Sequence, residues 1–366
     1  MSHLAIRQSA ITAACITACF CYAPATLSET RSVSAVIPTA DAVFITFQDL
    51  ACPYMLPISI NVFQVVTGSC STAAGGHRSG FIRDAAGNFT IFNPPGAVDT
   101  YPMSINALGA IAGSYSDGSR SHGFLRAPDG TFTSFDYPAS VATFSSAING
   151  GGTITGSFYF GDLTPHGFVR APDGTMTAVT EMTGSIKGAV PFDINEPDYV
   201  TGSWNQAISD IPQGFVQAPD RTNTYFLPGF SGTIPFGINR SGVIAGIWRD
   251  PVSTHGFVRL PDGTITSYTY PGGVMITSLL FQSRAASGVF GGINAEGYIT
   301  ATFYNASNNA QGFFRSLDGT ITTFDLGPGN TFAVAINNYT IVTGYYQPDN
   351  ATSIGYLRVP NGIVAH

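Results

Sequence analysis

Short runs of alternating apolar and polar residues, separated by glycine-rich or Asp-Gly turns, make up most of the chain. One representative stretch contains four such runs, at residues 146–149, 153–158, 166–170 and 175–179. A period of two is typical of β-strands whose side chains point alternately to the core and to solvent. The turn Pro172-Asp173-Gly174 suits a hairpin because glycine adopts a positive φ freely. No segment carries a sustained helical period, so the pattern predicts an all-β chain.

This four-strand unit recurs along the chain. An Ile-Asn pair marks each copy, at Ile60-Asn61, Ile105-Asn106, Ile148-Asn149, Ile194-Asn195, Ile238-Asn239, Ile293-Asn294 and Ile336-Asn337. A Gly-aromatic pair follows each one, at Gly80-Phe81, Gly123-Phe124, Gly167-Phe168, Gly214-Phe215, Gly256-Phe257, Gly312-Phe313 and Gly355-Tyr356. Successive Ile-Asn pairs lie 43–46 residues apart, except for one spacing of 55. Four short antiparallel strands per unit predict a propeller blade, and seven copies predict a seven-bladed β-propeller.

The two ends of the chain predict how the ring closes. The last copy stops at residues 361–366, where a fourth strand should begin, and residues 41–47 have the alternation of the missing strand. We therefore expect the N-terminal strand to complete the sheet of the last blade and to remove its free edge. The predicted organisation is a targeting segment over 1–25, a short linker over 26–40 and the propeller over 41–366.

The repeat resembles that of the extracellular HAF-type repeat proteins. The resemblance rests on Ala-Ile-Asn-x-x-Gly-x-Ile-x-Gly-x-Tyr followed by His-Gly-Phe-x-Arg-x-Pro-Asp-Gly-Thr, with His-Gly-Phe in place of His-Ala-Phe at His122, His166 and His255. It covers nearly all of residues 41–366 and implies export and a propeller, but that family has no general activity to carry over. The blade number is similar to that of calcium-dependent lactonase propellers by architecture only, because none of their motifs is matched.

The N-terminal residues have the layout of a secretory signal peptide. Arg7 precedes an apolar stretch of small residues over 10–22, and Ala23-Pro24-Ala25 fits a cleavage site. A lipoprotein-like box ending at Cys19 is the alternative, and either interpretation predicts a secreted or periplasmic protein. No later segment has 18 consecutive apolar residues, so we expect no transmembrane segment.

Charge and cysteine content narrow the function classes. Charged residues make up 10% of the chain, the net charge is -7 and Lys187 is the only lysine, so nucleic acid is not an expected partner. Apolar residues make up 44%, which excludes disorder as the main state. Cleavage after Ala25 would leave only Cys52 and Cys70. In an exported chain they are expected to form a disulfide, the alternative being two buried thiols.

Residues that recur in every blade are expected to be scaffold. The seven Asn side chains begin a hairpin turn and can accept backbone N–H bonds there. The Asp of the Asp-Gly turns, as at Asp173, has the same kind of role. The histidine before Gly-Phe is replaced by Gln213 and Gln311 in two copies, which suits a hydrogen-bonding strut better than a general base.

Candidate chemistry lies where the repetition breaks. The residue before each Ile-Asn pair is small in six copies and is Asp193 in the fourth. A lone carboxylate near the axis would be costly to desolvate without a cation. Glu181 and Lys187 precede it and Glu196 follows, so these four residues form the predicted catalytic group, with Asp193 and Asn195 as candidate ligands of calcium. The alternative is an exposed loop whose charges pair weakly.

A second break is an insertion over residues 271–292, about 11 residues longer than its counterparts. Its apolar residues could cover the tunnel or dock a protein partner. His77 is a possible base for which the sequence shows no orienting partner.

These features support two hypotheses about function. The first is an exported propeller whose tunnel mouth binds a neutral small molecule, a glycan or a protein surface; low charge, aromatic loops and the lack of a catalytic motif favour it. The second is a calcium-dependent hydrolase that opens a lactone or ester through metal-activated water, favoured by blade number, Asp193 and the many oxygen donors. A structural role in the cell envelope is a third possibility.

Overall fold

The computed structural model of the protein describes residues 32–161, 164–179, 186–206, 209–229, 232–270, 291–349 and 351–363. Within these ranges the chain forms seven antiparallel sheets arranged as a ring, and the predicted seven-bladed β-propeller is confirmed. The same ranges contain no helix long and apolar enough to cross a membrane.

Blades 1 to 6 each consist of four consecutive strands, and the first strand of each blade lies innermost. Blade 1 comprises β3 (Tyr54–Ile60), β4 (Val66–Ser71), β5 (Arg78–Arg83) and β6 (Phe89–Phe92). Blade 2 comprises β7 (Asp99–Ile105), β8 (Ile111–Ser116), β9 (Ser121–Arg126) and β10 (Phe132–Phe135). Blade 3 comprises β11 (Ala142–Ile148), β12 (Ile154–Tyr159), β13 (Pro165–Arg170) and β14 (Met176–Ala178). Blade 4 comprises β15 (Ile186–Ile194), β16 (Val200–Gln206), β17 (Ser209–Gln217) and β18 (Asn223–Phe226). Blade 5 comprises β19 (Thr233–Ile238), β20 (Ile244–Arg249), β21 (Thr254–Arg259) and β22 (Ile265–Tyr268). Blade 6 comprises β23 (Gly291–Ile293), β24 (Ile299–Tyr304), β25 (Ala310–Arg315) and β26 (Ile321–Phe324).

Blade 7 is shared by the two ends of the chain. It comprises β27 (Asn330–Ile336), β28 (Val342–Gln347), β29 (Ile354–Pro360), β2 (Ala42–Asp49) and β1 (Ser32–Pro38). β2 pairs with β29, with Val43 opposite Val359, so the predicted closure by the N-terminal strand is confirmed. The sequence pattern predicts a linker over residues 26–40, whereas the structure has β1 within that range, paired with β2 as a fifth, outer strand.

The Gly-aromatic pair of each repeat reflects how the third and fourth strands pack. In blade 2 the ring of Phe135 lies so close to Gly123 that a Cβ there would come within 2.4 Å of the ring. Phe92, Phe226, Phe324 and Tyr268 cover the corresponding glycines of blades 1, 4, 6 and 5, and Phe47 of β2 covers Gly355 in blade 7. Glycine is therefore required because an aromatic ring occupies the space of a side chain.

The recurrent arginine joins each blade to the preceding one. The Arg126 guanidinium of blade 2 lies 5.2 Å from the ring centroid of Phe92 in blade 1. The same cation–π contact links Arg83 to Phe47 across the closure of the ring, at 5.0 Å. In blade 4 the arginine is replaced by Gln217, and blade 3 has Val179 where the aromatic ring would be. The two departures occur together because an arginine at position 217 would have no aromatic ring of blade 3 to pack against.

The seven recurrent asparagines form a closed ring of hydrogen bonds at one end of the tunnel. The Oδ1 atom of Asn106 accepts the backbone N–H groups of Leu108 and Ala110, which confirms the predicted turn role. Its Nδ2 atom donates to the backbone carbonyl of Asn149 in the next blade, at 3.0 Å. The remaining Nδ2 donors act alike, from Asn61 to Asn106, Asn149 to Asn195, Asn195 to Asn239, Asn239 to Asn294, Asn294 to Asn337, and Asn337 to Asn61. Each asparagine thus fixes its own turn and fastens two blades together.

The histidines before Gly-Phe act as struts, as predicted. In blade 2, His122 stacks on Tyr115 and its two ring nitrogens lie 3.1 Å from Asp136 and 3.2 Å from Asp117. His255 stacks on Trp248 in the same way.

Cys52 and Cys70 form a disulfide, with their Cα atoms 5.6 Å apart. Cys52 follows the closing strand β2, and Cys70 lies on β4 of blade 1. The disulfide therefore ties the segment that leaves the closing strand to the first blade.

Candidate functional site

The innermost strands enclose a tunnel cavity of about 370 Å³ on the side where these strands begin. A β-bulge precedes the Ile-Asn pair in most innermost strands, for example between Pro57 and Ser59 in β3 and between Pro191 and Asp193 in β15. A bulge re-aims the following side chain, so the residue just before the Ile-Asn pair, such as Ser104, lines the cavity. The pattern of small residues at this position reflects the crowding around the axis.

Asp193 lies on the wall of this cavity, as its position in the repeat predicts. Its Oδ1 atom accepts the backbone N–H of Ile194, and its Oδ2 atom accepts the backbone N–H of Ile238 in the next blade, both at 2.9 Å. The carboxylate is half-buried in the wall of the tunnel. Burial therefore raises its pKa to about 6, although the two N–H bonds act in the opposite direction.

Ser59 of blade 1 makes the equivalent contact, because its Oγ atom accepts the backbone N–H of Ile105 in blade 2 at 3.2 Å. Asp193 and Ser59 occupy the same position of the repeat, and each bridges to the isoleucine of the following blade. Asp193 thus has a structural role that a serine performs elsewhere, together with a charge that a serine lacks.

Replacing Asp193 with serine is expected to change how stability depends on pH. The carboxyl pKa is about 6 in the folded chain and about 3.9 in an unfolded one, so its contribution to stability is fully present below pH 4 and is lost as the pH rises through 6. The loss corresponds to about 3 kcal/mol at most. Asp193→Ser should keep the bridge and lack this loss, so its free energy of unfolding relative to the wild type should increase between pH 4 and pH 7.5. Urea unfolding of the variant and the wild type at pH 4 and pH 7.5 measures this change. If the two proteins differed in free energy of unfolding by the same amount at both pH values, the raised pKa would be contradicted.

Two of the other predicted residues, Asn195 and Glu196, do not join Asp193. Glu196 lies at the opposite end of the tunnel, where its Oε1 atom accepts the backbone N–H of Gly151 at 3.0 Å. Asn195 belongs to the asparagine ring: its Nδ2 donates to Asn239 and its Oδ1 accepts the N–H of Tyr199. The bulge and the turn direct these neighbours in sequence to different ends, so the structure does not assemble Asp193, Asn195 and Glu196 into one site.

Two predicted residues and the insertion cannot be placed. Glu181 lies outside the described residues, as do residues 271–290 of the insertion. Lys187 belongs to β15, but its side chain also lies outside the described part of the structure.

The donor set around Asp193 does not complete a calcium site. Among the described residues there is no group of three or more His, Cys, Asp or Glu side chains that could hold a metal ion. Both carboxylate oxygens of Asp193 already accept backbone N–H bonds, whereas calcium takes six to eight oxygen ligands. A calcium ion at Asp193 would therefore need most of its oxygen ligands from groups other than acidic side chains.

The cavity contains features that the sequence analysis missed. Seven serines line it, with the aromatic side chains of Tyr101, Phe144, Phe192 and Phe236. Arg78, at the start of β5, is the one basic residue among the described lining residues. Ser59 and Ser104 directly precede the isoleucine of the repeat, which is a signal for axial positions. Arg78 occupies a position without any such regularity.

His77 also has a partner that the sequence did not reveal. Its Nδ1 atom lies 3.3 Å from the carboxylate of Asp99, which in turn accepts the backbone N–H of Arg78 at 2.8 Å. The imidazole is 79% exposed, so this pair lies outside the cavity.

The fold is similar to that of several solved propellers. An oligogalacturonate lyase in complex with manganese has a TM-score of 0.58 and 10% identity, over 92% of this chain and 99% of its own. An oligogalacturonate lyase from Vibrio parahaemolyticus has a TM-score of 0.57 and 9% identity, over 90% and 96%. A virginiamycin B lyase from Staphylococcus aureus has a TM-score of 0.55 and 12% identity, over 90% and 100%. No protein-family model and no curated protein sequence matches the chain. At these identities the likeness shows the fold alone.

Proposed function

We propose that this chain is an exported binding propeller that holds a small polar molecule, a glycan by preference, in the tunnel cavity. The observation that carries the proposal is the lining of the cavity. Serine hydroxyls such as those of Ser104 and Ser146 and aromatic rings such as Tyr101 and Phe144 together line a cavity of about 370 Å³. A binding pocket of this kind combines apolar walls with a few placed polar groups. Hydroxyls of a sugar can bond to the serines while its apolar face packs on a ring.

Export is part of the proposal and rests on separate support. The N-terminal residues match a signal peptide, and the repeat resembles extracellular proteins of the HAF type. The Cys52–Cys70 disulfide is the kind of bond that persists outside the cytosol.

The alternative is a hydrolase that acts on an ester or lactone. It is favoured by Asp193, because a carboxyl with a pKa of about 6 can exchange a proton near neutral pH. Calcium activation would need oxygen ligands beyond those that the described residues place at Asp193. The serine and aromatic lining makes binding the function that the cavity supports best.

Filling the cavity should abolish binding. Ser104 faces the cavity, so Ser104→Phe places a ring in the space of the ligand, whereas Ser134→Phe adds the same ring on the exposed strand β10. In a thermal-shift screen of neutral and acidic di- and trisaccharides, at least one should raise the melting temperature of the wild type, since a ligand stabilises the state that binds it. By isothermal titration calorimetry, Ser104→Phe should weaken its affinity at least tenfold, and Ser134→Phe should leave it unchanged.

Two outcomes would count against this proposal. One is that no saccharide binds, and the other is that the Ser104 and Ser134 variants bind alike. Repeating the melts with calcium and with EDTA addresses the alternative, because a calcium-dependent site predicts a higher melting temperature with the ion.

A further inference from the structure

Arg78 differs from the arginines that recur in the repeat. Those arginines lie over aromatic rings of the neighbouring blade, as Arg126 lies 5.2 Å from the Phe92 centroid. The Arg78 side chain lines the tunnel cavity, and its contact with a ring of the neighbouring blade is longer. Its Nη1 atom donates one long bond to the Oγ of Ser69, at 3.4 Å, and its guanidinium carbon lies 5.8 Å from the ring centroid of Tyr101. Most of its donor groups therefore have no partner within the described part of the chain.

No carboxylate neutralises this guanidinium among the described residues. Asp99, the acid next to it, accepts the backbone N–H of Arg78 and lies beside the His77 ring. It forms no ion pair within 4.0 Å with the Arg78 side chain in the described ranges. A cation on a partly enclosed wall is stabilised by an anion that comes with a ligand.

The surroundings of Arg78 indicate what that ligand carries. Ser69 and Tyr101 lie next to the guanidinium, so a hydroxyl group and an aromatic ring border the cation. The one acidic residue of the described lining, Asp193, belongs to blade 4, on the far side of the ring from Arg78 in blade 1. An anionic group would therefore be drawn to the Arg78 side and repelled from the Asp193 side.

We propose that the tunnel cavity selects an acidic glycan, in which a sugar carboxylate pairs with the Arg78 guanidinium and the hydroxyls bond to the surrounding serines. This inference rests on the proposed function and adds the charge of the ligand to it. Arginine matches a carboxylate with two parallel N–H bonds, which a lysine cannot form. The whole chain carries a net charge of -7, so an anion would be bound at this local cation rather than by the general field of the protein.

A matched pair of disaccharides tests the inference. Cellobiouronic acid differs from cellobiose by one carboxylate in place of a CH₂OH group. Calorimetric titration at low ionic strength should show that the full chain binds the acid at least tenfold more tightly than cellobiose. Arg78→Gln should weaken the affinity for the acid at least tenfold more than the affinity for cellobiose, and Arg78→Lys should retain part of the preference. Salt should weaken binding of the acid alone.

Arg240→Gln is the matched control, because it removes one positive charge at the opposite end of the tunnel, where Arg240 borders the asparagine ring. It should leave the preference intact. If both disaccharides bind equally well, glycan binding stands and this inference alone fails. The same holds if the preference survives in Arg78→Gln. If neither disaccharide binds, this inference and glycan binding fail together.

Discussion

Replacing Asn106 with aspartate is expected to lower the free energy of unfolding by about 3 kcal/mol at pH 7. Asn106 is buried, and its Nδ2 atom donates to the carbonyl of Asn149 at 3.0 Å. An aspartate would keep the two bonds from the backbone N–H groups of the turn. It would, however, place a carboxylate oxygen against that carbonyl oxygen, so one hydrogen bond becomes a repulsive contact with a buried charge.

The pH dependence of this variant separates repulsion from simple loss of a contact. A buried aspartate opposite a carbonyl has a raised pKa, and its protonated form can donate an O–H to the Asn149 carbonyl in place of the amide. The destabilisation of Asn106→Asp should therefore shrink as the pH falls from 7 to 4. Asn106→Ala loses both the turn bonds and the bond to the next blade. Its free energy of unfolding relative to the wild type should not depend on pH.

Urea unfolding of the wild type, Asn106→Asp and Asn106→Ala at pH 7 and pH 4 measures these differences. Asn88 provides the control, because it is exposed in a turn between β5 and β6 and bonds only to Asp84 of the same turn. Asn88→Ala should cost less than about 1 kcal/mol. If Asn106→Asp and Asn106→Ala lowered the free energy of unfolding no more than Asn88→Ala does, the closed ring of asparagines would contribute nothing to holding the blades together.

Most of the fold could be predicted because each recurrent residue solves the same packing problem in every blade. The Ile-Asn spacing gave the number of blades, and the alternation in the segment that forms β2 gave the closure. What the asparagines do between blades was not predictable. The turn role of Asn106 follows from local sequence, whereas its bond to Asn149 depends on two chain segments 43 residues apart meeting at the axis.

The exception in blade 4 carried a signal that the sequence analysis did not use. Gln217 replaces arginine in one repeat, and Val179 replaces the aromatic ring in the repeat before it. Each departure taken alone looks like tolerated variation. Together they indicate that the arginine of one blade packs on the fourth strand of the preceding blade, as Arg126 does on Phe92.

The candidate site was predicted only in part, for a geometric reason. Asp193 stood out because it breaks a pattern of small residues, and the structure does place it on the cavity wall. Glu196 and Asn195 are its neighbours in sequence, but they follow the end of β15 and belong to the opposite end of the tunnel. Arg78 reaches the cavity from the third strand of blade 1, and no periodicity of the sequence connects that position with the axis.

The closing strand explains why the two chain termini must share one blade. β2 contributes Phe44 and Phe47, which are 2% and 0% exposed. Phe47 covers Gly355 of β29 and supports the guanidinium of Arg83 in blade 1. β1, by contrast, adds an outer strand whose described residues from 35 to 38 are exposed. The two strands are adjacent in sequence but differ sharply in how much of the core depends on them.

A chain that begins at residue 51 is therefore expected not to fold, whereas a chain that begins at residue 41 should melt within a few degrees of the form that retains β1. Loss of Phe44 and Phe47 costs about 3–5 kcal/mol each, and loss of the β2–β29 pairing adds to this, against a total stability of about 5–15 kcal/mol. Both truncated chains keep Cys52 and Cys70, so the disulfide is not a variable. Far-UV circular dichroism melts and size-exclusion chromatography distinguish the outcomes, and a synthetic peptide of residues 41–50 should restore a cooperative transition to the shorter chain. A cooperative transition without the peptide would mean that six complete blades and an open seventh form a stable ring, and that closure by β2 is dispensable.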